Sequence, residues 1–310
     1  MAFVSIVMPV FNTAPYLRES IDSILAQTHR AFEFIIVDDG SSDGSQDIIA
    51  DAARTDARIR AIFLTRPSSC ISGARATNAA IATAQGEYIA RMDSDDIALP
   101  VKLETQLRYL AENDIDICGC EMEAFGMGAG RVWFPQSHEG ICRELVFRIG
   151  MPHPSMVARN AIFVDNRYSE TNGMDDYEFQ TRLALKYKMG NVPEVLLRHR
   201  RHADQSTNIY RERLRNDVRQ TRFRYMFGCF PGTTYTDFIG ISRICERLEF
   251  ESVEELEAAG QFLIRLSDIP DRMLKARNLR RWHEAEPQIG SLGADGAAVF
   301  RRIAAELAYV

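Results

Sequence analysis

The chain has 310 residues, 46% hydrophobic and 26% charged. That balance excludes a disordered chain, a collagen-like repeat and a small disulfide-stapled scaffold, and leaves room for one large or two modest domains. The formal net charge of −6 argues against a dedicated nucleic-acid binder, which is usually basic.

In chain order, residues 5–10 form a short β-branched apolar run that predicts a buried strand, closed by a turn at Phe11-Asn12. Leu17, Ile21, Ile24 and Leu25 recur at helical spacing and predict a helix over 15–27. Residues 34–37 read as a second strand that ends in Asp38-Asp39-Gly40-Ser41-Ser42-Asp43-Gly44, and a helix follows through Ile48, Ile49 and Ala52. A third strand spans 59–64 and an Ala-rich helix 73–84. The fourth strand, 87–92, runs into Asp93-Ser94-Asp95-Asp96; a helix over 100–112 and a strand over 115–123 come next. Gly126-Met127-Gly128-Ala129-Gly130 lacks the Lys-Ser/Thr of a phosphate loop and does not open a helix, so it reads as a hairpin tip. After Asn208 the pattern is helical, with Arg211, Arg213, Arg215, Arg219, Arg222 and Arg224 clustered and Pro270 and Pro287 as later breaks.

The N-terminus shows no basic stretch followed by a long apolar one, and no apolar run approaches the roughly 18–20 residues of a bilayer span, so the expected location is the cytoplasm. Six cysteines (Cys70, Cys118, Cys120, Cys142, Cys229, Cys245) are scattered with no zinc-type spacing and read as buried thiols.

Uniformly apolar strands alternating with helices predict an α/β fold around a mostly parallel sheet covered on both faces. Ligands of such sheets bind beyond the carboxyl ends of the strands. Both acidic clusters fall there, on one rim. In Asp93-Ser94-Asp95, an extended backbone points both carboxylates to one side, about 6–7 Å apart. Hard oxygen donors of this kind suit Mg²⁺ or Mn²⁺. A D-x-D pattern alone also serves as a loop cap.

Six segments in order carry a more specific signal: Ser5-Ile6-Val7-Met8-Pro9-Val10-Phe11-Asn12, Val37-Asp38-Asp39-Gly40-Ser41-Ser42-Asp43, Gly86 through Asp96, Pro152-His153-Pro154-Ser155-Met156-Val157-Ala158-Arg159, Asp175-Asp176-Tyr177-Glu178-Phe179-Gln180-Thr181-Arg182-Leu183, and Arg200-Arg201-His202-Ala203-Asp204-Gln205-Ser206. Together they resemble the family 2 glycosyltransferases, bacterial enzymes of capsule, exopolysaccharide and lipopolysaccharide assembly among them. The resemblance covers residues 5 to about 206. It implies a GT-A fold, a Rossmann-like sheet flanked by helices, as a catalytic domain over 1–206. A nucleotide-sugar half would take about 1–123, an acceptor half about 124–206, and a helical extension 207–310. It also implies inverting transfer from a nucleotide-sugar, with a UDP-sugar the commonest donor, to a glycan or lipid-linked acceptor, with Mn²⁺ or Mg²⁺ as cofactor.

Residue by residue, the resemblance places Pro9, Val10, Phe11 and Asn12 along the base pocket and Asp39 on the base. Asp95 would ligate the metal, with Asp93 on the ribose or the metal's water shell, Ser94 beside them, and His202 on the metal or the diphosphate late in the site. Asn78 matches the family's A-x-N segment. The usual middle Arg is absent, as Ala76-Thr77-Asn78 shows, so Arg75 or Arg91 would meet the diphosphate. Asp176 is the expected general base, the carboxylate opposite the leaving diphosphate that takes the acceptor proton. Asp175 replaces the family's usual Glu and joins His153 and Arg182 on the acceptor side. The alternative for Asp39 is a turn residue, and for Asp176 an acid favoured at a helix N-terminus.

Two other readings stand beside this one. A sugar nucleotidyltransferase would carry a Gly-rich basic loop near the first strand, where Pro9-Val10-Phe11-Asn12 has none. A non-catalytic nucleotide-sugar-binding paralogue would not need Asp39, Asp93, Asp95 and Asp176 together. The Arg211–Arg224 cluster holds only Glu212 and Asp217 as acids. It reads either as a basic face for peripheral contact with an anionic membrane or as a solvated helix surface.

Overall fold

The computed structural model describes residues 2–65, 72–171, 173, 175–203, 205 and 211–309, without the side chains of 211–213. Cys70, Asp204 and Ser206 lie outside the described residues. Two compact units are present, Met1–Ile141 with Ile149–Val218, and Cys142–Arg148 with Arg219–Val310. The segment Cys142–Arg148, placed with the first 206 residues by the sequence reading, groups with the C-terminal helices.

The first unit is built on a nine-stranded sheet. Strand β1 (Val4–Val10) is buried along its whole length and is flanked by β2 (Phe32–Asp38) and β4 (Tyr88–Arg91), both parallel to it. Strand β3 (Ile59–Phe63) adds in parallel outside β2. Beyond β4 lie β8 (Val157–Arg159), β6 (Ile117–Gly126), β9 (Met189–Arg201) and β5 (Ile97–Ala98), with β7 (Gly130–Val132) on β6. Strands β5, β7 and β8 run against their neighbours, so β1, β2, β3, β4, β6 and β9 all point one way. The register pairs Val10 with Asp38 and Val7 with Arg91, so the strand ends that carry the acidic clusters flank the end of β1 on the same rim.

One face of the sheet, on the side of Ile6, Met8, Val10, Phe34 and Ile36, buries Leu17, Ile21 and Ile24 of α1 (Ala14–Leu25), Ile49 and Ala52 of α2 (Ser45–Thr55) and Leu103 of α4 (Lys102–Glu112). These are the apolar stripes of amphipathic helices. Helix α3 (Ala74–Ile81) packs on β1 and β2 through small residues, and Gly73 at its start abuts the Pro9 ring. The β6–β7 hairpin turns at Gly126, Gly128 and Gly130, all at positive φ, where glycine is unstrained. The unit is completed by α5 (His138–Glu144, shared with the second unit), a 3₁₀ turn at His153–Ser155, α6 (Asn160–Asp165) and α7 (Asp175–Ala184).

Helix α8 (Arg211–Cys229) begins in the first unit and ends in the second. The second unit continues with α9 (Tyr235–Glu246), α10 (Val253–Ser267), α11 (Arg272–Glu284), a 3₁₀ segment and α12 (Gly293–Tyr309). Side chains that accept backbone N–H bonds start three of these helices. Thr234 forms a reciprocal capping box with Asp237, and Ser252 and Asp271 cap α10 and α11. A Cβ at Gly240 would lie 2.5 Å from the Glu255 carbonyl oxygen, so glycine lets α9 and α10 touch. Trp282 stacks on Phe300 and donates its indole N–H to the Phe300 carbonyl at 3.0 Å. The α8 arginines do not form one solvated face. Arg222 is buried and donates to the Val146 carbonyl, whereas Arg215, Arg219 and Arg224 are exposed beside Phe223 and Phe227. Among the described residues no helix is long and apolar enough to cross a membrane.

Candidate active site

At the carboxyl rim, three loops are tied together by short polar side chains. Asn12 takes the left-handed conformation (φ 52°). Its N–H donates to Ser41 Oγ and its Oδ1 accepts from the Ser42 N–H, both at 2.9 Å. Thr13 and Ala14 donate backbone N–H bonds to Ser45 and Asp43. Thr13 Oγ1 reaches Ser94 Oγ at 3.0 Å and so joins the loop after β1 to the D-x-D. Pro9 and Val10 are buried inside β1, and Phe11 is 52% exposed at its end, a flat apolar face open to a ligand.

The adjacent Asp38 and Asp39 have different surroundings. Asp38 closes its own turn, accepting from the Gly40 and Ser41 N–H groups and from Gln46. Asp39 is buried, and its Oδ1 lies 3.1 Å from Arg75 Nη1 without an aligned hydrogen bond. Burial pushes the Asp39 carboxyl up to about 6, while the Arg75 charge pulls it back.

The acids after β4 also divide. Ligand oxygens of Asp93, Asp95 and Asp96 all lie within 4.8 Å of one another. Asp96, fully buried, is spent on β9. It pairs with His199 Nδ1 at 3.0 Å and accepts the Arg200 N–H at 2.9 Å. Burial raises Asp96 to about 6. Burial opposes the charge on His199, but the bond to Asp96 outweighs it and raises the imidazole. Asp95 accepts from His202 Nε2 at 3.0 Å, and the His202 ring packs on Tyr16 at 4.5 Å. Burial and the Asp93 charge raise Asp95. Asp93 pairs with the buried Arg91. Two half-buried carboxylates, Asp93 and Asp95, with an imidazole behind one of them, are a hard donor set that fits Mg²⁺ or Mn²⁺.

Asp175 and Asp176 open α7. Asp175 Oδ1 accepts the Asp176 N–H, and Asp176 Oδ1 the Tyr177 N–H, as first-turn acids do. Burial first, then the Asp176 charge, raises Asp175 to about 7; burial also raises Asp176. Both feel the charges of Arg91 and Asp93, so the start of α7 and the D-x-D share one electrostatic site.

Three expected residues face the protein instead. Asn78 uses both ends of its amide within the chain: Nδ2 donates to the Tyr168 carbonyl and to Glu170, and Oδ1 accepts from the Tyr168 N–H. His153 is buried under Tyr168, whose hydroxyl lies 2.8 Å from Nε2, and burial pushes this imidazole well below its ordinary value. Arg182 is held by Glu178 and the Arg167 carbonyl. Sequence reasoning missed Thr13, Tyr16, Tyr168 and His199, all of which act through partners far away in the chain. His199 alone carried a signal, its place before the closing basic motif.

A model of the family described as glycosyl transferase family 2 matches residues 5–191. The chain is 34% identical over 216 residues to an uncharacterized glycosyltransferase of Methanocaldococcus jannaschii, 64% of this chain and 70% of that protein. Among solved structures it is similar to S. aureus TarS 1–349 in complex with UDP-GlcNAc, at 18% identity and a TM-score of 0.63 over 99% of this chain and 92% of that one. It is also similar to the Pyrobaculum calidifontis mannosyltransferase PcManGT in complex with GDP-Man and Mn²⁺, at 16% identity and a TM-score of 0.52 over 99% and 84%. At such identities the likeness to solved structures is one of fold, here a GT-A-like sheet flanked by helices. With the family's model matched over residues 5–191, more than half of its length, the chain belongs to glycosyl transferase family 2 and is a glycosyltransferase.

Proposed function

We propose that the protein is an inverting, divalent-metal-dependent glycosyltransferase that moves a sugar from a UDP-sugar to a hydroxyl of a glycan or lipid-linked acceptor in cell-surface polysaccharide assembly. The observation that carries this reading is that Asp93 and Asp95 at the carboxyl end of β4 and Asp176 at the start of α7 share one electrostatic site, in which Arg91 pairs with Asp93 and its charge reaches Asp176. Asp95, Asp93 and His202 would hold the metal, which when bound neutralises charge on the departing diphosphate. Asp39 Oδ1 has acceptor capacity for a base or ribose donor, with Phe11 and the Asn12 loop beside it. Arg75, already beside Asp39, can turn a guanidinium to phosphate. Asp176 accepts the acceptor hydroxyl's proton as that oxygen attacks the anomeric carbon opposite the diphosphate, and one direct displacement inverts the centre. The UDP preference rests on the family resemblance and on the UDP-GlcNAc bound by TarS.

Asp176→Asn should lower transfer by roughly 10²–10⁴-fold and leave donor affinity near wild type. Asp95→Ala should instead weaken Mn²⁺-dependent UDP binding. Wild-type turnover in the first variant would falsify the assigned base, and unchanged UDP affinity in the second removes Asp95 from the metal site. A melting-temperature screen with UDP- and GDP-sugars, with and without Mn²⁺, tests the donor.

The exposed Arg215, Arg219, Phe223, Arg224 and Phe227 of α8 suit peripheral contact with an anionic lipid surface on the inner face of the cytoplasmic membrane. Vesicles containing anionic lipid should bind the wild type and lose the R215E/R219E/R224E variant. Equal binding to neutral vesicles refutes the contact.

A further inference from the structure

In the second unit, the segment Cys142–Arg148 lies along α8. Arg222 Nε donates to the Val146 carbonyl at 3.0 Å and the Tyr225 hydroxyl to the Cys142 carbonyl at 2.8 Å. Tyr225 is 1% exposed, so this junction is dry and well defined. The Tyr225 hydroxyl, bonded to the Cys142 carbonyl, projects from the helix turn before Cys229, and the thiols of Cys142 and Cys229, 87 residues apart in sequence, lie within interaction reach of each other and of that hydroxyl. Cys142 is buried, whereas Cys229 is only half-buried and open to a small reagent.

We propose that Cys142 and Cys229 are a thiol–disulfide pair, with Cys229 as the attacking thiolate and Cys142 as the resolving thiol. Their environments divide these roles. The Cys142 thiol is pushed far up, chiefly by its contact with Cys229 and by burial. The same contact, against burial and helped by Tyr225 and the Arg143 charge, brings Cys229 down to about 7, so a large fraction is thiolate at neutral pH. The other described cysteines differ. Cys118 and Cys120 are fully buried in β6 and Cys245 is half-buried, and burial raises all three.

With a small disulfide such as oxidised glutathione, the Cys229 thiolate attacks one sulfur, forming a mixed disulfide and releasing one glutathione thiolate. Cys142 then loses its proton to that thiolate and attacks the Cys229 sulfur. The Cys142–Cys229 bond forms, a second glutathione leaves, and two electrons have passed from the pair to the reagent. The product ties the segment Cys142–Arg148 covalently to α8.

The test uses the full chain at neutral pH, equilibrated across a series of reduced and oxidised glutathione, alkylated and mapped by peptide mass spectrometry. The wild type should yield a linked Cys142–Cys229 peptide pair, two hydrogens lighter than the separate thiols. Cys142→Ser should trap glutathione on Cys229, about tenfold or more faster than on Cys245, and Cys229→Ser should leave residue 142 unmodified. Recovery of both wild-type cysteines as separately alkylated thiols in the most oxidising mixture refutes the pair. So does their linkage to other cysteines. The wild-type result stands whether or not either serine variant folds.

Discussion

Asn78 commits its whole amide to one stretch of chain, two bonds to the backbone of Tyr168 and one to Glu170. Removing it strands a buried N–H and a buried carbonyl, each costing about 1–3 kcal/mol. Asn78→Ala should therefore lower the melting temperature clearly while the folded enzyme binds its donor as before. A loss of donor affinity at an unchanged melting temperature would return Asn78 to the donor site. The same reasoning separates neighbours that sequence presents as equals. Asp38 and Asp39 point to opposite sides of an extended chain, one into its own turn and the other toward Arg75. Asp95 and Asp96 divide in the same way, one to His202 and the other to His199. The carboxylates were legible as a set because they follow apolar strands. Their division of labour was not, because each partner comes from a strand or helix far away in sequence.

Elements were legible where one local rule dominated. Strands β1 and β2 are buried almost throughout and read as nearly continuous apolar runs, and the helices beside them show clean stripes. Strand β9 hides because it breaks those rules. Its thirteen residues contain Pro193 and end in Arg198-His199-Arg200-Arg201, a sequence with neither an apolar run nor clean alternation. Pairing survives through a register shift opposite Cys120 to Met122, and the basic end is neutralised by acids of other elements, with Asp96 holding His199, Glu19 holding Arg200 and Glu123 facing Arg198. Arg198 and Arg200 also sandwich the Phe125 ring, at 4.5 and 4.6 Å, so their stems pack as well as their charges. This strand delivers His202 to Asp95. The part of the site supplied by β9 was foreseeable only from motif resemblance, because tertiary charge pairing, not local propensity, makes it a strand.

At the scale of the whole molecule, the acids and bases are distributed for different ends. Residues from 207 onward carry 16 basic and 15 acidic groups, against 21 and 28 before them. In the first unit, surplus carboxylates gather where a cation and a diphosphate would sit. In the second, the near-balance conceals a local excess of the opposite sign around Glu144. This side chain is fully buried, and its Oε1 meets Arg148 at 2.5 Å, Arg281 at 2.9 Å and Arg277 at 3.2 Å. Burial alone would raise the carboxyl, but the three guanidinium charges outweigh it and hold Glu144 below its ordinary value of 4.5. A carboxyl depressed in the folded state binds protons more readily when unfolded. Its contribution is complete above the unfolded value and disappears as pH falls through the lower, folded one. Glu144→Gln removes the charge and leaves three arginines crowded together, a loss of about 3–5 kcal/mol at neutral pH by analogy with broken buried pairs. Thermal unfolding followed from pH 7 downward should show the wild type well above the variant at first. The gap should close below about pH 4.5, the ordinary value from which the loss begins. A gap that stays constant with pH would mean that Glu144 is not ionised in the folded protein and that the arginines hold it by shape alone.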